Sequence, residues 1–179
     1  MKMRYLPLLL AVGLVAPPWT AAQDVSPAGR EVRTASLSPR SPSSFTETFT
    51  IVYSDPAGIK GIEGIRLLAN DSINGKNACY IYYVVQTGSF LLVNDSGEGS
   101  QPLKSDQPVR NARCTVYPDA QATLTNTTLK VRVRVALNPD HRVSANLYTY
   151  VDRSKGASQF TWQGVWAAPE PLPPPSTTQ

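Results

Sequence analysis

The stretch that most constrains this chain is TLKVRVRVAL, residues 128–137. Leu129, Val131, Val133, Val135 and Leu137 alternate with Lys130, Arg132 and Arg134. A period of two over ten residues puts every apolar side chain on one face of an extended strand and every cation on the other. A helix would scatter the same residues around its axis. The pattern therefore predicts a β-strand with one buried and one wet face, the signature of an antiparallel sheet packed on one side. No helical period of useful length appears elsewhere in the 179 residues.

The rest of the chain repeats the theme. TETFTIVYSD alternates Thr48 and Thr50 with Phe49, Ile51 and Tyr53, and DPAG stops it, because Pro56 suits a turn and Gly58 tolerates positive φ. IEGIRLLAN sets Ile65 and Leu67 opposite Arg66. After the turn cluster DSINGKN, Cys79, Ile81, Tyr83 and Val85 share one face, and Tyr80, Tyr82 and Val84 the other. QTGS is short enough to return the chain as a second hairpin strand, 90–93. A polar loop is expected to run to about Val109. Short strands follow around Cys114, in ANLYTYVD and in FTWQGVWA, and 32–37 offers a first edge strand. About eight or nine strands, with turn clusters every 8–12 residues or so, predict an all-β, antiparallel sandwich. The core is expected to contain Phe49, Ile51, Ile81, Leu91, Val133 and Trp162.

The flanks read differently. Lys2 and Arg4, an apolar run over 6–16, and small residues at Thr20 and Ala22 have the order of a secretory signal peptide, 1–22. The run is far short of the roughly 20 residues a membrane span needs, and no cysteine follows it to carry a lipid. Residues 23–44 form a Ser/Pro-rich leader, 45–167 the folded body, and 168–179, with five prolines in APEPLPPPSTTQ, an extended tail. The chain has 17 basic and 13 acidic residues; without Lys2 and Arg4 the net charge is +2, which argues against a nucleic-acid partner. Export places Cys79 and Cys114 in an oxidising compartment, where one disulfide is the default and two buried thiols the alternative. Two cysteines and one histidine without ligand spacing do not make a zinc site.

The segments TFTIVYSDPAG, ANDSINGKNACYIYY, FLLVNDSG, NARCTVY, LKVRVRVAL and WQGVW occur in that order. In order and spacing they resemble a β-rich module of secreted proteins from Acidobacteria and related bacteria, often found in tandem copies. Over about residues 38–166 the resemblance implies a single Ig-like or fibronectin-like sandwich of no established activity, with its paired cysteines falling on Cys79 and Cys114. The sequence departs from the pattern in carrying one copy.

The candidate chemistry is sparse. His141 in NPDHRV is the only histidine. Asp140 and Ser144 lie too near it along the chain to form a triad, so it reads as a solvated loop residue. No G-x-S-x-G, H-E-x-x-H or phosphate loop is present. The acids sit mostly in turn clusters, where Asp closes turns. Asn94, Asp95 and Glu98, or Asp55, offer hard oxygen ligands for Ca²⁺ without the EF-hand spacing. Lys130, Arg132 and Arg134 form a basic row that Arg110 and Arg113 could extend towards an anionic polymer, or that simply keeps an outer strand face wet. Sequons begin at Asn70, Asn94 and Asn126. Tyr80, Tyr82, Tyr148, Tyr150 and Trp162 stand at strand spacing and could form a platform for sugar rings; core and cross-strand pairing is the competing use. The expectation is thus a non-enzymatic, secreted module, periplasmic or extracellular, that binds or builds at the bacterial cell envelope. It has no cofactor or metal, and its partners are an extracellular protein or a polysaccharide. The alternative is a carbohydrate-binding module using those tyrosines and Trp162.

Overall fold

The computed structural model describes residues 34–138, 144–155 and 158–169. The signal segment, Val32, Asp140, His141 and the tail beyond 169 lie outside the described residues. Among the described residues there are twelve strands: β1 Ser36–Ser38, β2 Thr46–Ser54, β3 Ile62–Asn70, β4 Cys79–Val84, β5 Ser89–Val93, β6 Ser100–Pro102, β7 Val109–Arg110, β8 Cys114–Val116, β9 Gln121–Leu124, β10 Thr128–Leu137, β11 Ser144–Arg153 and β12 Thr161–Ala167. The expected strands are all among them. The additional ones are β6, β7 and β9, each four residues or shorter and too polar to show a period.

The strands form two antiparallel sheets. The first runs β1-β2-β10-β8-β7, with β9 beside β8 on the same flank of β10; the second runs β12-β11-β3-β4-β5-β6. This is the order of a variable-type Ig sandwich, with A-B-E-D facing G-F-C-C′-C″ and β6 added at one edge. The alternation that predicted β10 holds residue by residue: Leu129, Val131, Val133, Val135 and Leu137 are buried, while Lys130 and Arg132 are exposed. Against them pack Phe49, Ile51 and Tyr53 from β2 and Ile65, Leu67, Ile81, Leu92 and Leu147 from the second sheet.

Cys79 on β4 and Cys114 on β8 are joined, so the disulfide ties the two sheets together. The usual Ig bridge joins the B and F strands near the middle of the sandwich; here it joins C′ to D. Beside it the Asn111 side chain is buried and fully used. Its Nδ2 donates to Ala78 O (2.9 Å) and Val93 O (3.0 Å), and its Oδ1 accepts from the Arg113 and Cys114 N–H groups, both 2.9 Å.

The packed fold begins before Phe45. Ala35 and Leu37 are buried, β1 pairs with β2, and Gln163 and Thr149 both donate to Ala35 O. The chain then crosses to the other sheet. Arg40 O and Pro42 O accept from Val165 and Ala167 N–H, which closes the open edge of β12.

Two expected core positions are corrected. Leu91 faces outwards, opposite Tyr82, and the buried residues of β5 are its neighbours Phe90 and Leu92. Trp162 is 55% exposed, and Trp166 fills the core, edge-on to Phe49 at 5.0 Å. Spacing of four predicts that both tryptophans share a face. A bulge in β12 breaks that rule: Leu147 pairs with Gly164, but the next residue, Tyr148, pairs with Trp162. Gln163 and Gly164 both turn inwards, and everything before them changes sides. A Cβ at Gly164 would sit 1.8 Å from Arg40 O, so the crossing strap requires glycine there.

Candidate functional site

A sheet with one wet face should carry polar residues on it. The first sheet does: Ser36, Ser38, Thr48, Thr50, Lys130, Arg132 and Thr123 point outwards. The outer face of the second sheet does not. Cross-strand register lays out Trp162 beside Tyr148, then Leu68, then Tyr80; and in the next row Tyr150, Arg66, Tyr82 and Leu91. The five platform residues predicted from sequence, Tyr80, Tyr82, Tyr148, Tyr150 and Trp162, thus lie on one surface.

Arg66 organises this surface. Its Nε and Nη2 donate to Asp152 Oδ2 and Oδ1 at 2.8 and 2.7 Å, and its Nη1 donates to Tyr80 Oη at 2.8 Å. The guanidinium carbon lies 4.4 Å from the Tyr82 ring centre and 5.3 Å from that of Tyr150, its two direct cross-strand neighbours. A planar cation between two π faces is favourable on both sides. Burial works to lower the guanidinium pKa, but the bonds to Asp152 and Tyr80 outweigh it and hold the group above its ordinary value. Burial also pushes the Tyr82 phenol up, with the Asp152 charge adding to the effect and Arg66 opposing it.

Phe160, just before β12, lies over the surface, 4.9 Å from the Tyr150 ring and 6.2 Å from that of Tyr80. Beneath the rings Leu68 is only 1% exposed, although it faces away from the main core. Two glycines make room: a Cβ at Gly64 would meet the Tyr82 ring at 2.3 Å, and one at Gly75 the Tyr80 ring at 3.1 Å. Trp162 is the open member. Its Nε1 donates to Asn146 Oδ1 at 3.3 Å, which orients the indole, and Val165 beside it is 39% exposed. Sequence reading missed Arg66, Asp152, Phe160 and Leu68. The outward parity of Arg66 was legible, but its partner Asp152 lies 86 residues away.

The other candidates resolve into structural roles. Asp95 accepts from Ala112 N–H with both oxygens, and Asp55 accepts from Ala57 N–H in its turn. Among the described residues no group of three or more His, Cys, Asp or Glu could hold a metal ion. Arg134 pairs with Asp119 at 3.1 Å and lies 4.1 Å from the Tyr117 ring, and Arg113 is buried. Arg134 thus stands in the row with Lys130 and Arg132 but with its charge paired, Arg110 is exposed on β7, and Arg113 does not extend the row. Ser144 opens β11, while Asp140 and His141 lie outside the described residues.

No protein-family model matches this chain, and neither does any curated protein. A disulfide, and no helix among the described residues long and apolar enough to cross a membrane, are compatible with folding in an oxidising compartment.

Proposed function

We propose that this protein is an exported, non-enzymatic Ig-like binding module of the bacterial cell envelope, and that its ligand surface is the aromatic outer face of the second sheet. Carbohydrate is the ligand class. The observation that carries the reading is the contrast between the two outer faces. One is the hydroxyl-and-cation surface of an ordinary wet sheet; the other gathers four tyrosines, Phe160 and an open, oriented Trp162. Aromatic faces stack on the C–H faces of sugar rings, and phenol and amide groups at their edges meet the hydroxyls. The resemblance to a repeated module of secreted bacterial proteins, with its implied extracellular setting, agrees with this role.

A glycan-array screen of residues 23–179, with Tyr82→Ala and Trp162→Ala in parallel, tests the proposal. Selective binding that is lost in a folded Trp162→Ala variant is the expected result. Binding that survives both substitutions would move the ligand surface elsewhere, and silence across the array would remove carbohydrate as the ligand class.

A further inference from the structure

We infer that the aromatic face is built for an uncharged polysaccharide, and that the Arg66–Asp152 pair is what keeps anionic chains off it. This rests on the carbohydrate reading above and sharpens it. The strands of the second sheet carry two cations. Arg153 donates to Tyr53 Oη on the facing sheet and is unavailable. Arg66 is at the centre of the aromatic face, but its charge is matched by Asp152 and three of its five N–H groups are committed, Nε and one on Nη2 to the two oxygens of Asp152 and one on Nη1 to Tyr80. A uronate or sulfate approaching this surface finds a bidentate ion pair already made. To gain a bidentate pairing through Nε and Nη2 and an uncompensated charge it would have to displace Asp152 and leave that largely buried carboxylate unpaired. An uncharged sugar needs no such exchange. It meets rings spaced by the strand separation of about 4.8 Å, with Trp162 as the open platform.

The amount of open surface favours a sugar chain over a protein partner. Leu68 is already covered, Phe160 lies over Tyr80 and Tyr150, and among the described residues the large apolar side chains of these strands left widely exposed are Trp162 and Val165. A stable protein interface asks for roughly 800 Å² from each partner, whereas one oriented indole with a tyrosine beside it is the size of a few sugar rings. Arg66 is a positioning residue here. Its guanidinium fills the space between Tyr82 and Tyr150 and is not a receptor for negative charge.

The experiment is calorimetric titration of residues 23–179 with hydroxyethyl cellulose, galactomannan and polygalacturonate, at low and high salt. An uncharged polymer is expected to bind with a Kd that changes less than about twofold between about 0.05 M and about 0.5 M salt. Polygalacturonate is expected to be at least about tenfold weaker, a gap of about 1.4 kcal/mol. Asp152→Asn, its fold checked by its unfolding midpoint, frees the guanidinium and should gain polygalacturonate binding that high salt abolishes. Salt-sensitive binding of polygalacturonate by the unmodified protein, as tight as that of the uncharged polymers, would overturn the inference and leave the carbohydrate reading standing. A folded Asp152→Asn with no gain would overturn the role given to the ion pair. Binding of no polymer would fail the carbohydrate reading and the inference with it. Light scattering that then reports a dimer, abolished by Trp162→Ala, would reassign the face to a second copy of the chain.

Discussion

Replacing Asn111 by alanine should be among the most costly single polar substitutions in this molecule. The amide makes four hydrogen bonds, two given and two received, all between 2.9 and 3.0 Å and all to backbone groups of three neighbouring segments. An ordinary hydrogen bond contributes about 1 kcal/mol net, and a buried group left without a partner costs about 1–3 kcal/mol. Alanine strands Ala78 O, Val93 O and two N–H groups beside the disulfide. Entry of one or two waters would recover part of the loss, so the expected destabilisation is about 3–4 kcal/mol. Against a typical domain stability of about 5–15 kcal/mol this is a large fraction. Urea unfolding of the oxidised protein measures it as a lower midpoint at unchanged slope, with thiol titration verifying that the disulfide is intact. A loss below about 1 kcal/mol with the disulfide intact would refute the weight given to these four hydrogen bonds.

Other outcomes follow from the same geometry. Reducing the Cys79–Cys114 bridge, which closes a separation of 35 residues, should lower stability by about 4 kcal/mol in the chain-entropy estimate, read as the shift in urea midpoint with and without reductant. Trp166→Ala should cost about 3–5 kcal/mol and Trp162→Ala less than about 1 kcal/mol; comparable losses would mean that the bulge assignment is wrong. The Tyr82 phenol is held above its ordinary value of 10.0 in the folded state. The stability it contributes is therefore whole below pH about 10 and is lost as pH rises through the raised value. The urea midpoint of Tyr82→Phe should fall less steeply than that of the parent between pH about 8 and about 11, and equal slopes would argue against the shift.

Much of this architecture is legible in the sequence because period two is a local property. Strand β10 could be read from its own ten residues, as could the opposite faces of Cys79–Val84 and the outward turn of Arg66. What could not be read depends on contacts between distant segments. The edge strand β6 is defined by β5, not by its own side chains. The parity of Trp162 is set by a bulge that exists because the chain at Arg40 crosses Gly164. Leu91 lies in the apolar run FLLV, whose own residues do not say which alternate position faces out; Ser89, two residues before it, carries the one local signal that Leu91 shares the wet face. The five aromatics of the candidate face were visible one by one. Their gathering around an ion pair, and the cover that Phe160 provides, depend on the pairing of β11 with β3 and on the course of the chain before β12.

The bulge has a further consequence for how this molecule tolerates change. An amino-acid exchange at Trp162 alters what the face presents, but the position stays outward, because its side is decided by the extra residue that the bulge takes up between it and Trp166. Straightening the strand at its present length would turn Trp162 inwards beside Trp166, so the binding platform would vanish with every one of its aromatic side chains still in the sequence, whereas removing one residue at Gln163 or Gly164 would take out the bulge and leave Trp162 three residues before Trp166, still outward. The surface is in this sense encoded in the pairing of the last strand. In a comparison of related chains, either glycine at position 164, which the Arg40 crossing requires, or a last strand one residue shorter should track its presence more faithfully than the identities of the aromatic residues themselves.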